Sequence, residues 1–214
     1  MENESHDEIK RPIIAWCLGW AFAWGITRAL NTIDAGFMAF MLNGAIGGFV
    51  GGAFGGMSSG SLYKNTNLGN STLRIRGMVA MSVGLAIGEG IGWSIGQLFS
   101  SGLVWILILG FAGAIGGAIG GYLTLRLIYE KQLRSAWRIQ YVWVTGFFLG
   151  GIVGATFVEF ASPILISILI NLAGLNLSTI AALFVGGALN GLVGGSIAVI
   201  QIKKKAPSIE FIEN

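Results

Sequence analysis

The chain has 214 residues, 54% of them hydrophobic and 11% charged, with a net charge of +3 and a mean hydropathy of +0.74. Soluble domains carry roughly 25% charged residues, so too few polar side chains are present to cover a water-facing surface. Glycine takes 35 positions and proline 3. The absence of a collagen period and the wealth of Leu, Ile, Val, Phe and Trp exclude collagen and low-complexity disorder. An all-α integral membrane protein remains.

A helix needs about 20 apolar residues to cross a ~30 Å hydrocarbon core. Six stretches qualify: 13–30, 35–57, 77–97, 103–125, 140–160 and 178–202. With six transmembrane helices, the tail 1–12, the loop 58–76, the segment 126–139 and the tail 203–214 share one side. That side carries Lys10, Arg11, Lys64, Arg74, Arg76, Arg126, Lys131, Arg134, Arg138 and Lys203 to Lys205, every basic residue except Arg28. The positive-inside rule makes it cytoplasmic, so both termini are expected in the cytoplasm, with the chain in a plasma or other inner membrane. Acidic Glu2, Glu4, Asp7 and Glu8, and bulky Trp20 and Trp24 around Ala21-Phe22-Ala23, argue for a retained first span over a cleaved signal. Basic residues confined to span ends, with no interleaved aromatic surface, argue against a nucleic-acid partner. The bilayer is the partner that the composition names.

Taken in chain order, the spans pair into three tandem glycine-rich helical hairpins, 13–57, 77–125 and 140–202. The even-numbered spans share a frame: GAIGGFVGG at 44–52, GAIGGAIGG at 113–121 and GALNGLVGG at 187–195. In the odd-numbered spans Trp16, Met81 and Trp143 are each followed three residues later by Gly19, Gly84 or Gly146, and small residues then recur every fourth position. Approximate pseudo-threefold symmetry follows. Small residues four apart let neighbouring backbones approach closely where no hydrophobic drive exists between helices. Gly47, Gly51, Gly84, Gly88, Gly92, Gly116, Gly120, Gly150, Gly154, Gly191 and Gly194 are the expected packing glycines, forming a glycine zipper. Paired glycines on two faces place the even spans centrally, with Trp16, Trp20 and Trp24 outward.

Between spans, the polar segment 58–73 reads as a flexible loop. The stretch 126–139 reads as a short interfacial helix with Glu130 and Arg134 four apart. Ser162-Pro163 resembles an N-cap followed by proline at the first helical position. The apolar stretch 163–173 is then too short to cross, which places a helix at, or dipping from, the outer surface.

Few polar groups lie inside the spans. Glu89 sits at hydrocarbon depth in the third, and an intramembrane ionisable residue is a functional candidate by default. Arg28, about a turn further out, is the expected partner of a buried ion pair. Asn43 and Asn190 suit interhelical hydrogen bonds, and Glu159 lies near an outer span end, where snorkelling costs little. Cys17 is the lone cysteine, inside a span, and His6 is the lone histidine, so neither disulfide nor metal site is expected. No nucleophile–base pair or phosphate loop is present, and the GxGxxG-like strings lie within spans, so no catalytic residue and no cofactor is expected. The Pro-x-Asp/Glu-x-x-Lys/Arg motif of mitochondrial carriers, which share the three-hairpin layout, is absent. Two functions remain open, and the first is preferred because interior polar groups are few and no proline-broken helix suggests a midplane site. One is a non-catalytic assembly subunit whose glycine faces meet copies of itself or a membrane-protein partner. The other is a small proton- or cation-linked transporter or channel using Glu89.

Overall fold

The structure, a computed structural model, describes residues 2–31, 36–63, 68–99, 102–129 and 136–205. The described residues form six α-helices and no strand: α1 (Glu2–Asn31), α2 (Phe37–Gly60), α3 (Asn70–Gly96), α4 (Leu103–Tyr129), α5 (Ala136–Thr156) and α6 (Ser162–Lys205). Five stretches are long and apolar enough to cross a membrane, the last being the joined run Gln140–Lys204. Apolar side chains and internally bonded backbone make the helix the stable form in hydrocarbon, which also tolerates the many glycines.

The joined run contains 65 residues, about 100 Å if it were one straight helix. It is not straight. Gly174, at φ 73° and ψ 168°, breaks it in a region only glycine enters readily. Beyond the break, α6 packs back along α5, with Gly186 beside Gly154 and Gly194 beside Gly146.

Each helix packs on its sequence neighbours, and α6 packs on α1. The six therefore close into a ring in chain order. At one end Lys203 reaches Glu8 at 3.3 Å and Arg76 donates to the Leu127 carbonyl; Lys10, Arg11, Arg74 and Arg126 lie at the same helix ends. We call this the basic end.

The ring has no central helix, and this corrects one expectation. Trp16, Trp20 and Trp24 are not outward; each is at most 1% exposed. In the interior Trp16 lies 5.5 Å from Trp143 and 4.8 Å from Phe147 of α5 between ring centroids, Trp20 lies 5.8 Å from Phe147, and Trp24 packs on Trp20 and Trp93. Met81 and Leu85 of α3 complete this core. The outward residues are instead aliphatic and phenylalanine side chains, such as Phe49 and Phe54 of α2, Phe111 of α4 and Leu192 of α6. The sequence pattern misled because glycine faces were taken to mark the centre, whereas they mark the seams between adjacent helices.

At those seams a Cβ would collide on both sides of α2. At Gly44 it would stand 2.7 Å from the Glu89 carbonyl oxygen, and at Gly47 2.6 Å from that of Ala23. The same holds for α4, where Gly117 faces the Trp143 carbonyl at 2.6 Å and Gly116 faces Leu85 Cδ2 at 2.7 Å. Gly84, Gly88 and Gly92 meet α4; Gly51 meets α1, Gly120 meets α3, Gly150 and Gly154 meet α6, Gly191 meets α1 and Gly194 meets α5. Gly69, Gly102 and Gly174, all outside the packed stretches, face open space.

The connections differ from expectation in three places. Helix α2 runs on to Gly60, and Leu62 and Tyr63 just beyond it are buried rather than loose, while 64–67 lie outside the described residues. Helix α4 likewise runs on to Tyr129, so 126–129 is its last turn and no separate interfacial helix starts there; Glu130 and Arg134 lie outside the described residues. Finally, Ser162 is no N-cap: it is itself helical and continues straight from the preceding turn into α6. A π turn, Phe157–Ala161, joins α5 to α6, and Ser162 donates to the Val158 carbonyl within it. Proline 163 lacks an N–H and crowds the preceding turn, and a wider π turn absorbs that fault without ending the helix.

Candidate functional site

Glu89 stands between Gly88 and Gly90 on α3. The Gly88 face is pressed against Ala112 and Gly116 of α4, and the Glu89 carbonyl against Gly44 of α2. With both flanks closed, the side chain turns inward, and Glu89 is 2% exposed. Its Oε2 accepts the Trp93 indole N–H at 2.9 Å. Trp93 follows one turn later, so carboxylate and indole share a helix face.

The expected partner is not there. Glu89 and Arg28 form no ion pair, and Arg28 sits half-buried at the far end of α1. In its place stands Trp24, whose ring is perpendicular to that of Trp93 at 6.2 Å between centroids. Trp24 fits because its neighbours are small: Gly186, Gly187 and Gly154 surround its ring. A Cβ on Gly154 would lie 3.0 Å from both Trp24 Cη2 and Asn190 Cβ, so Asn190 borders the same indole.

Several buried polar atoms here have no hydrogen-bond partner among the described residues: Trp20 Nε1, Trp24 Nε1 and Asn190 Oδ1, with Ser82 Oγ and Asn31 Nδ2 further off. Each such atom costs about 1–3 kcal/mol. Asn190 was expected to bond across helices, and its side-chain oxygen does not. Asn43 does: its Nδ2 donates to Asn31 Oδ1 at 2.8 Å, joining α2 to α1, and Thr27 Oγ1 reaches the Asn43 carbonyl at 3.2 Å. Glu159 is tied down too. Lying in the π turn, its Oε1 accepts the Gly102 N–H at 3.0 Å, ahead of α4. There a carboxylate complements the helix dipole, worth about 0.3–1 kcal/mol. The structure thus separates the sequence candidates: Glu89 and Asn190 border Trp24, whereas Arg28, Asn43 and Glu159 lie elsewhere.

Two further residues went unnoticed in the sequence. Trp93 was legible, since it follows Glu89 by one helical turn. Tyr63 was not: it lies in a polar segment, yet it is 1% exposed and its hydroxyl accepts the Trp143 indole N–H at 3.0 Å. Burial pushes its phenol above the usual tyrosine range, so it stays a neutral hydroxyl near pH 7.

Among the described residues no three His, Cys, Asp or Glu side chains come together. Set against known proteins, the chain matches no protein family, no curated protein and no solved structure.

Proposed function

We propose that the chain crosses its membrane six times as three tandem hairpins about an approximate threefold axis, and that Glu89 carries the proton of a small proton-linked transporter. The hairpin reading is supported by contacts that recur at matching positions of the glycine frame. Gly19 meets Gly51, Gly84 meets Gly120 and Gly146 meets Gly194 within hairpins. Between hairpins, Gly52 meets Met81, Gly121 meets Trp143 and Gly195 meets Trp16. This is the pattern of a glycine zipper repeated three times. Two residues depart from it. Asn190 stands where the other copies have Gly47 and Gly116, and Glu89 matches Trp24 and Gly151. Both departures border Trp24.

The observation that carries the transport reading is a carboxylate at 2% exposure whose hydrogen bond comes from an indole and not from a cation. An acidic residue held charged at such depth costs roughly 2.5–3.5 kcal/mol on insertion scales. The expense is explained if protonation and release are its task. Hard metal cations take about six oxygen ligands, far more than one carboxylate between indoles offers; a proton needs one. The glycine faces that an assembly subunit would use are consumed inside the ring.

The test is uptake into liposomes under an imposed proton gradient, with a panel of labelled amino acids, sugars and lipophilic cations. At least one class should accumulate, and Glu89→Gln should fold and lose that uptake. Uptake of none, or unchanged uptake by the Gln variant, would overturn the reading. A structural or assembly subunit is the second reading, and one observation favours it: no residue of 163–177 is buried, and Leu172 is 85% exposed.

A further inference from the structure

The ring interior is closed at its two ends in different ways. Towards the far end the buried core side chains Trp93, Ile106 and Leu109 belong to helices that pack along their length. At the basic end two buried residues, Leu62 and Tyr63, do not. Tyr63 follows α2, outside any helix, held by backbone bonds from the Leu62 and Tyr63 N–H groups to the Ser59 and Gly60 carbonyls.

Its reach identifies its place. In the cycle of contacts α2 and α5 are not neighbours; each adjoins two other helices. A side chain that starts at the end of α2 and bonds Trp143 of α5 must therefore cross the mouth of the ring. There it also packs edge-on against Tyr129, at the last position of α4, with centroids 6.1 Å apart. Directly beneath, Trp143 stacks on Phe147 at 5.4 Å and tilts against Trp16 at 5.5 Å. Tyr63 is thus the outermost layer of the aromatic core, and the layer not built on a helix.

We propose that Tyr63 is the gate of the basic end: a side chain that seals the ring interior and withdraws to admit solvent or substrate towards Glu89. Among the described residues, withdrawal breaks one side-chain hydrogen bond and one aromatic ring contact, and no glycine seam includes Tyr63. A helix-borne seal such as Trp93 has no comparable freedom, because moving it moves α3 against α2 and α4. The gate rests on the transport reading, but its test reads access and not flux, so the two can fail separately.

The test uses the full chain in membranes with Cys17→Ser and Leu85→Cys, the latter placing a thiol at a fully buried core position below the Tyr63 layer. A membrane-impermeant cationic thiol reagent is applied to each face separately. With Tyr63 intact, labelling is slow from both faces. Tyr63→Ala should speed labelling from the basic face at least tenfold and leave the far face unchanged. Tyr63→Phe, which keeps the ring but not the oxygen that Trp143 bonds, should speed it about threefold, and it decides the matter if the alanine variant does not fold. Unchanged labelling in the folded variants, or an equal rise from both faces, would overturn the gate.

Discussion

Two parts of one helix face the ring interior and are treated differently. At the basic end Trp16 of α1 donates its indole N–H to Ser59 at 2.7 Å, as Trp143 of α5 does to Tyr63. One and two turns further along α1, Trp20 and Trp24 are equally buried and their N–H groups have no partner among the described residues. The basic end is a satisfied polar seal. The middle, where Trp24 borders both Trp93 and Asn190, keeps the Glu89 carboxylate among indoles and, in Asn190 Oδ1, an acceptor with no partner among the described residues. A protein interior satisfies its polar groups where nothing need change. On the proposed reading, the difference separates a middle that exchanges a proton from a basic end that closes it.

The comparison rests first on the seams that hold both parts, and breaking one should have the largest effect. Gly116→Leu drives a side chain into Leu85 and should cost more than the ~1–3 kcal/mol of ordinary overpacking, seen as a loss of the folded protein in detergent. Leu107→Ala, at an outward position, should barely shift the melting temperature. Ser59→Ala comes next. It strands the Trp16 indole and should destabilise by about 1–3 kcal/mol, a readily measured fall in Tm; no fall would remove the distinction between satisfied and unsatisfied indoles. Arg28→Gln should do least, within about 0.5 kcal/mol, because Arg28 forms no ion pair with Glu89. A fall matching that of Ser59→Ala would restore the ion pair.

Periodicity made the helices and their order legible, since it is a local property of the chain. What it could not fix was which way a face points. In water a tryptophan beside a glycine stripe has one buried direction; in a membrane, lipid and protein interior are both apolar, so the indoles of Trp16, Trp20 and Trp24 fit either side by composition. The ring closed by α6 on α1 is a long-range outcome that no segment encodes alone. For the same reason the candidate site was half legible. Glu89 announced itself by its charge, and Trp93 by its helical spacing, but Trp24 joins them only through the packing of α1 against the glycines of α6. The turn through Pro163 was misread because Ser-Pro starts helices more often than it bends them.

The central claim is that Glu89 exchanges a proton inside the ring without a cationic partner. Infrared difference spectra of the full chain in liposomes, taken as the pH is stepped, read the C=O stretch of protonated carboxyl groups directly. Beside the bands of the other carboxyl groups, which all three proteins share, one further titrating band should be present in the parent, unshifted in Arg28→Gln, and missing from Glu89→Gln, with all three proteins folded. Superimposable spectra from the parent and the Glu89→Gln variant would contradict the account, because Glu89 would then hold one protonation state throughout and could carry nothing.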